Sequence, residues 1–347
     1  MGKLVLSDRV ITQEDCFVIA EIGSNHGGDP DLCEEMIITA ARCGVDAVKL
    51  QKRDSRKMFQ RCALDAPYEN EFSYGKTYGE HRDRLDWFGR KEFERFKATA
   101  EKHGVIFFAT PFTEHDADFL HALGVELWKI ASCDVKNIPL IEKVARYQQP
   151  MIISTGGAAL ADIRRLTTAI DPINQNFALL HCVSTYPNTD ANVNLRAIQT
   201  LLYEHYNTLI GFSSHHPGLL PLIIARTLGA AIFEVHFTLN RGSRGTDHGF
   251  SIEPKGLAQA VEDLKRVRVM LGSGRKEPTE EEKKGFIRKM GKAVYAARPI
   301  PAGKVLEAED MEAKSPADGL PPWRMPGLVG RKVRLEKQTG QVFSEST

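Results

Sequence analysis

The sequence predicts an α/β fold: a (β/α)8 TIM barrel followed by a small β-rich domain. Three observations carry this. Short apolar runs alternate with longer stretches of helical periodicity. Eight such runs fall between residue 17 and residue 235, the number and span that one barrel needs. No Gly-x-Gly-x-x-Gly follows the first run, which disfavours a doubly wound dinucleotide-binding sheet.

The runs are residues 17–20, 47–50, 105–109, 127–130, 151–154, 177–180, 208–211 and 231–235. They are nearly continuous in apolar residues, as parallel strands buried on both faces require. Between and after them the period changes. Leu257, Val261, Leu264, Val267 and Leu271 recur at helical spacing, with Gly272 as a C-cap. A long insertion interrupts the alternation between Arg53 and Gly89. Its aromatics, from Tyr68 to Trp87, predict an ordered flap at the barrel mouth. Domain boundaries follow: residues 1–272 form the barrel, 273–290 a charge-dense polar linker, and 291–347 a small turn-rich domain.

Composition narrows the function. The 347 residues are 42% hydrophobic and 26% charged, with a net charge of +1. That balance offers no electrostatic reason to bind nucleic acid or an anionic membrane. No apolar run approaches the ~18 residues of a membrane span. Asp8 and Arg9 come too early for a secretory signal. The six cysteines contain no Cys-x-x-Cys pair, so a reduced cytoplasmic protein is expected rather than a disulfide or zinc framework.

In a barrel, side chains at the C-terminal ends of the strands build the site. Lys49 and Lys129 stand inside otherwise apolar strands, where an ammonium is costly unless it meets an anion. Thr110, Ser132, Ser154 and Ser213 lie at the same height. Together they make a cradle for a phosphate or carboxylate. The competing arrangement turns each lysine out toward solvent or pairs it with an internal glutamate. His215 and His236 end neighbouring strands seven and eight, with Glu21 and Glu234 as oxygen donors. This set suits one divalent ion with open positions. Arg241, Arg244 and Asp247 occupy a glycine-rich loop that either binds substrate hydroxyls and anions or is simply flexible. Lys76, His81 and Arg82 on the flap suit a sugar phosphate or a solvated turn equally well.

The strand-end segments 20–28, 129–132, 153–156, 181–187, 210–215 and 234–238 together resemble the sialic acid synthase family. Residues 75–82 resemble its animal-type and related bacterial branch, and residues 291–347 resemble the antifreeze-like (SAF) domain that follows the barrel there. The resemblance implies metal-dependent condensation of phosphoenolpyruvate with an N-acetylhexosamine, N-acetylmannosamine or its 6-phosphate, giving a nonulosonate and phosphate. It implies phosphoenolpyruvate on Lys49, Thr110, Lys129, Ser132, Ser154 and Ser213. It assigns the sugar to Asn25, Asp134, Tyr186 and Asp247, and acid/base work to Glu21 and Glu234. A Mn2+-type ion, with Mg2+ or Co2+ as alternatives, is implied on His215 and His236. A domain-swapped homodimer is implied as well.

Cys133, Gly157, Val235 and Ser315 depart from the family pattern and leave the acceptor open. The same chemistry on another aldose or a diacetamido sugar is the first alternative. A non-catalytic protein of carbohydrate binding or polysaccharide assembly is the second.

Overall fold

Eight parallel strands close into a barrel in the computed structural model, which describes residues 2–345. Met1, Ser346 and Thr347, at the ends of the two expected domains, lie outside the described residues. A short antiparallel hairpin comes first, β1 (Lys3–Val5) and β2 (Val10–Thr12). The barrel strands are β3 (Phe17–Gly23), β4 (Ala47–Lys52), β5 (Ile106–Pro111), β6 (Trp128–Ile130), β7 (Met151–Ser154), β8 (Phe177–Cys182), β9 (Leu209–Ser214) and β10 (Ile232–His236). They follow one another around the ring, and β10 closes it against β3.

The two-residue period of the strands explains both the core and the site. Ile19, Ala47, Phe108, Leu127, Ile152 and Ile232 belong to the cluster inside the barrel. Val18, Ala20, Val48, Leu50, Ile130, Ile153 and Val235 belong to the larger cluster between strands and helices. Two residues beyond each interior apolar side chain stands a polar one: Glu21, Lys49, Thr110, Lys129, Ser154 and Glu234. One pleat therefore carries a dry floor and, one layer higher, a charged one.

The N-terminal hairpin was not expected from the sequence. Its strands are too short for a readable period, yet Leu4, Leu6 and Ile11 join the interior cluster. The flap carries three short helices, Ser55–Met58, Arg61–Leu64 and Tyr78–Leu85. A bridge between Pro67 and Thr77 and a Thr77–Glu80 capping box set the start of the third.

The chain divides into two compact units between Gly272 and Ser273. The second is β-poor at its start, because the expected linker folds into the short helices Glu280–Lys284 and Phe286–Met290. Thr279 caps the first of these. Antiparallel β11 (Ala293–Ala296) and β12 (Met311–Lys314) follow, over a core of Val294, Ile300, Leu306, Met311, Val333 and Phe343. Among the described residues, no helix is long and apolar enough to cross a membrane.

Candidate active site

A cavity of about 900 Å3 opens at the C-terminal ends of the barrel strands. Glu21, Lys49, Thr110, Lys129, Ser132, Ser154, Tyr186, Ser213, His215, Glu234, His236 and Asp247 all line it. The register explains the convergence. Glu21 pairs with Lys49 on one side and His236 on the other, and Glu234 pairs with Ser213.

The floor is a closed charge network. Lys49 Nζ lies 2.6 Å from Glu21 Oε2 and 3.8 Å from Glu234 Oε1, and it donates to Thr110 Oγ1 at 3.2 Å. Lys129 Nζ donates to Ser154 Oγ at 2.7 Å and to Ile130 O at 2.8 Å, and lies 3.9 Å from Glu234 Oε2. Ser213 Oγ donates to Glu234 Oε1 at 3.3 Å. All seven side chains are buried. The lysines thus meet internal glutamates as well as hydroxyls, which is the competing arrangement of the two weighed for them. Burial pushes the Lys129 ammonium below its ordinary range, with Lys49 adding to the effect and Glu234 opposing it. Burial pushes the Glu234 carboxyl up, but Lys129, Lys49 and the two histidines outweigh it and hold it below its ordinary range.

Above the floor, the His215 and His236 rings stand 5.3 Å apart, centroid to centroid. His215 Nδ1 donates to Val183 O at 2.9 Å, which leaves the Nε2 lone pair free. His236 Nδ1 is buried without a hydrogen-bond partner among the described residues, 3.8 Å from Asp247 Oδ2. Among the described residues, no group of three or more His, Cys, Asp and Glu side chains is placed to hold a metal ion. The pair fits an exchangeable ion with positions left for water and substrate, not a structural ion enclosed by protein. The Tyr186 ring packs on His215 at 4.1 Å.

Two of the sugar-assigned residues are not on the cavity wall. Asn25 is buried and donates to Phe237 O at 2.8 Å and Ser251 Oγ at 2.9 Å, so it braces the turn after β3 against the chain after β10. Asp134 accepts from Asn137 Nδ2 at 3.0 Å and stands behind Cys133, which lines the cavity in its place. Burial pushes the Cys133 thiol up to about 11, assisted by Asp134. The loop arginines are structural too. Arg241 donates to Gly249 O, and Arg244 bonds Ser73 O and packs over the Tyr74 ring. Tyr74 Oη donates to Arg244 O at 2.5 Å, so the flap is fastened to the loop after β10. His26 packs on Phe88, and His181 bonds Val193 O; both are core residues. Ser315 is exposed and donates to Met290 O at 3.0 Å.

Sequence reasoning missed Gln51, Arg53, Lys136, Ser184 and Thr246, which also line the cavity. Of these, Gln51 had a signal: it lies on β4, two residues beyond Lys49 and so on the same face of that strand. The flap's Arg82 lines the cavity, whereas Lys76 is exposed.

Comparison with known proteins gives a consistent result. The profile of the NeuB family matches residues 36–276, and that of the SAF domain matches residues 291–346. The chain is 38% identical over 334 residues to the N-acetylneuraminate-9-phosphate synthase of Homo sapiens, covering 96% of this chain and 92% of that protein. It is 31% identical over 333 residues to an N,N'-diacetyllegionaminic acid synthase of Legionella pneumophila, covering 94% and 92%. Among solved structures it resembles the N-acetylneuraminic acid (sialic acid) synthetase of Leptospira borgpetersenii in complex with citrate. That match has a TM-score of 0.71, 36% identity and coverage of 82% of this chain and 94% of that one.

Proposed function

Because the chain belongs to the NeuB family of sialic acid and related nonulosonate synthases, we propose that its cavity condenses phosphoenolpyruvate with an N-acetylhexosamine. N-acetylmannosamine or its 6-phosphate is the acceptor proposed. The observation that carries the reading is the network at the cavity floor, where two ammonium groups, two carboxylates and two imidazoles converge.

Lys49, Lys129 and the hydroxyls of Thr110, Ser132, Ser154 and Ser213 donate to the phosphate and carboxylate of phosphoenolpyruvate. The glutamates already balance these lysines, so binding trades a Lys–Glu contact for a Lys–phosphate contact. A carboxylate released in this way is a base held at the reacting atoms. C3 of phosphoenolpyruvate bonds the aldehyde carbon, whose oxygen takes a proton. Water adds at C2 and gives up a proton. The C2–O bond to phosphate then breaks as the new C2 hydroxyl passes its proton to the departing phosphate, so that a ketone forms at C2 and inorganic phosphate leaves. Glu21 and Glu234 are the groups within reach of these protons. His215 and His236 would hold a divalent ion of the Mn2+ type. When bound, such an ion polarises the aldehyde carbonyl. Tyr186 and Asp247 contact the sugar from the rim.

A diacetamido acceptor is the second reading. The Legionella relative is a diacetyllegionaminic acid synthase, and Gly157 leaves open space at the wall, with nothing within 4 Å of a Cβ placed there. We also propose that the chain is a homodimer in which the small unit of one copy covers the cavity of the other, checked by light scattering coupled to gel filtration.

Phosphate release from phosphoenolpyruvate tests the reaction. Release is expected with N-acetylmannosamine, its 6-phosphate or a diacetamido hexose, and it is expected to stop with chelator and return with Mn2+. Release independent of any acceptor, or unaffected by chelator, sinks the reading.

A further inference from the structure

Arg53 is a buried cation that the proposed chemistry does not use. Its side chain is only 10% exposed, yet it lines the cavity. Nη2 donates to Gln51 Oε1 at 2.8 Å, and Gln51 Nε2 donates on to Glu21 Oε1 at 2.9 Å. The guanidinium packs over the Phe112 ring at 4.1 Å. Among the described residues, Nε has no hydrogen-bond partner. An unpaired buried donor is costly, and few native structures keep one without a ligand to satisfy it.

The charge near Arg53 is also unbalanced. Asp86 Oδ1 lies 3.8 Å from Nη1. That carboxylate is already engaged by both nitrogens of the Arg82 fork and by Ser55 Oγ at 2.5 Å. Two guanidinium groups therefore share one carboxylate beside the cavity. On the floor, by contrast, two lysines meet two glutamates.

We propose that Arg53, set beside Arg82 over the shared carboxylate of Asp86, binds a second anion in this cavity: the phosphate of a phosphorylated acceptor sugar. The inference rests on the condensation reading for which anion lies on the floor. Strand rise of about 3.3 Å per residue puts the backbone at Arg53 roughly 13 Å from that at Lys49, toward the mouth. Phosphoenolpyruvate carries its phosphate and carboxylate on one carbon, so a molecule held on the lysine layer satisfies that layer and not Arg53. An acceptor whose aldehyde faces the floor points its terminal carbon toward the mouth. A phosphate there meets the Arg53 guanidinium, whose Nε it would satisfy, in a cavity that Arg82 also lines. Arg82 is spent on Asp86 and acts as a positioning residue.

Calorimetry in chelator, without turnover, tests this on the full chain. Phosphoenolpyruvate, N-acetylmannosamine and N-acetylmannosamine 6-phosphate are the probes, each sugar titrated with phosphoenolpyruvate present. The wild type is expected to hold the 6-phosphate roughly tenfold to a hundredfold more tightly than the free sugar. Arg53→Gln is expected to abolish that preference while leaving phosphoenolpyruvate binding and the unfolding midpoint unchanged. Arg53→Lys is expected to restore part of it. Equal binding of the two sugars by the wild type overturns the proposal. So does binding of neither sugar, or a loss of phosphoenolpyruvate affinity in Arg53→Gln, which would place the floor ligand on Arg53. Normal sugar discrimination without any condensation on adding Mn2+ would uphold the anion site and sink the reaction.

Discussion

A methyl group on Gly156 would lie 2.2 Å from Ser184 Oγ and 2.8 Å from Ser132 Oγ. The backbone after β7 therefore approaches Ser132 and Ser184 as closely as only glycine allows, and its N–H donates to Ser132 Oγ at 3.0 Å. Gly156→Ala is expected to push Ser132 out of place and raise KM for phosphoenolpyruvate about tenfold. Overpacking is expected to cost about 1–3 kcal/mol of stability. Steady-state kinetics and thermal unfolding check both, and an unchanged KM would remove Ser132 from the cradle. At this scale Lys49 and Lys129 were readable, because a charge inside an apolar run stands out. Their glutamate partners were readable only as residue types, since pairing depends on register between neighbouring strands. Arg53 was invisible because an arginine just past a strand looks like a solvated loop residue, and only the folded flap buries it.

The loops at the barrel mouth are built as one layer. Tyr74 and Arg244 join the flap to the loop after β10, and Trp87 Nε1 donates to Gly28 O at 2.9 Å, joining it to the turn after β3. That turn contains His26, whose ring lies 4.5 Å from Phe88 and whose Nδ1 accepts from Gly28 N at 3.0 Å. Burial lowers the His26 imidazole from 6.5 to about 4. Its folded-state value is below the unfolded one, so between these pH values the unfolded chain binds the extra proton. Stability is therefore lost as pH falls from about 6.5 toward 4, by about 3 kcal/mol from this group. His26→Gln is expected to flatten the pH dependence of the unfolding midpoint over that window. An unchanged slope would mean that other groups carry it. The strands were legible here because burial on both faces leaves a long apolar signature. The three-residue hairpin strands were not, and the helices at 280–290 were concealed by a charged composition that Thr279 caps into a turn of helix.

The two units carry separate cores, and each can be probed on its own. In the second, Asp310 is buried and accepts from Lys304 Nζ and Arg298 Nε, each at 2.6 Å. Burial pushes its carboxyl up, but Lys304, the Glu307 N–H and Arg298 outweigh it and hold it far below the usual carboxylate range. Asp310→Asn is expected to cost about 2–3 kcal/mol, reduced by the partial exposure of Arg298. Hydrogen exchange is expected to speed up in β11 and β12 and stay unchanged in β3 to β10. Equal acceleration in both units would show that they unfold together. The sequence by itself determined the barrel, its strand order and nearly all of the cavity floor. Those follow from a two-residue period that repeats within each strand and needs no distant partner to be read. Tertiary structure alone decided that the floor is charge-balanced, that Asn25 and Asp134 turn away from the cavity, and that Arg53 is buried with its Nε unpartnered among the described residues. Each of these depends on which side chains meet across strands and loops far apart in the chain, and burial and pairing are properties of that meeting rather than of any one residue.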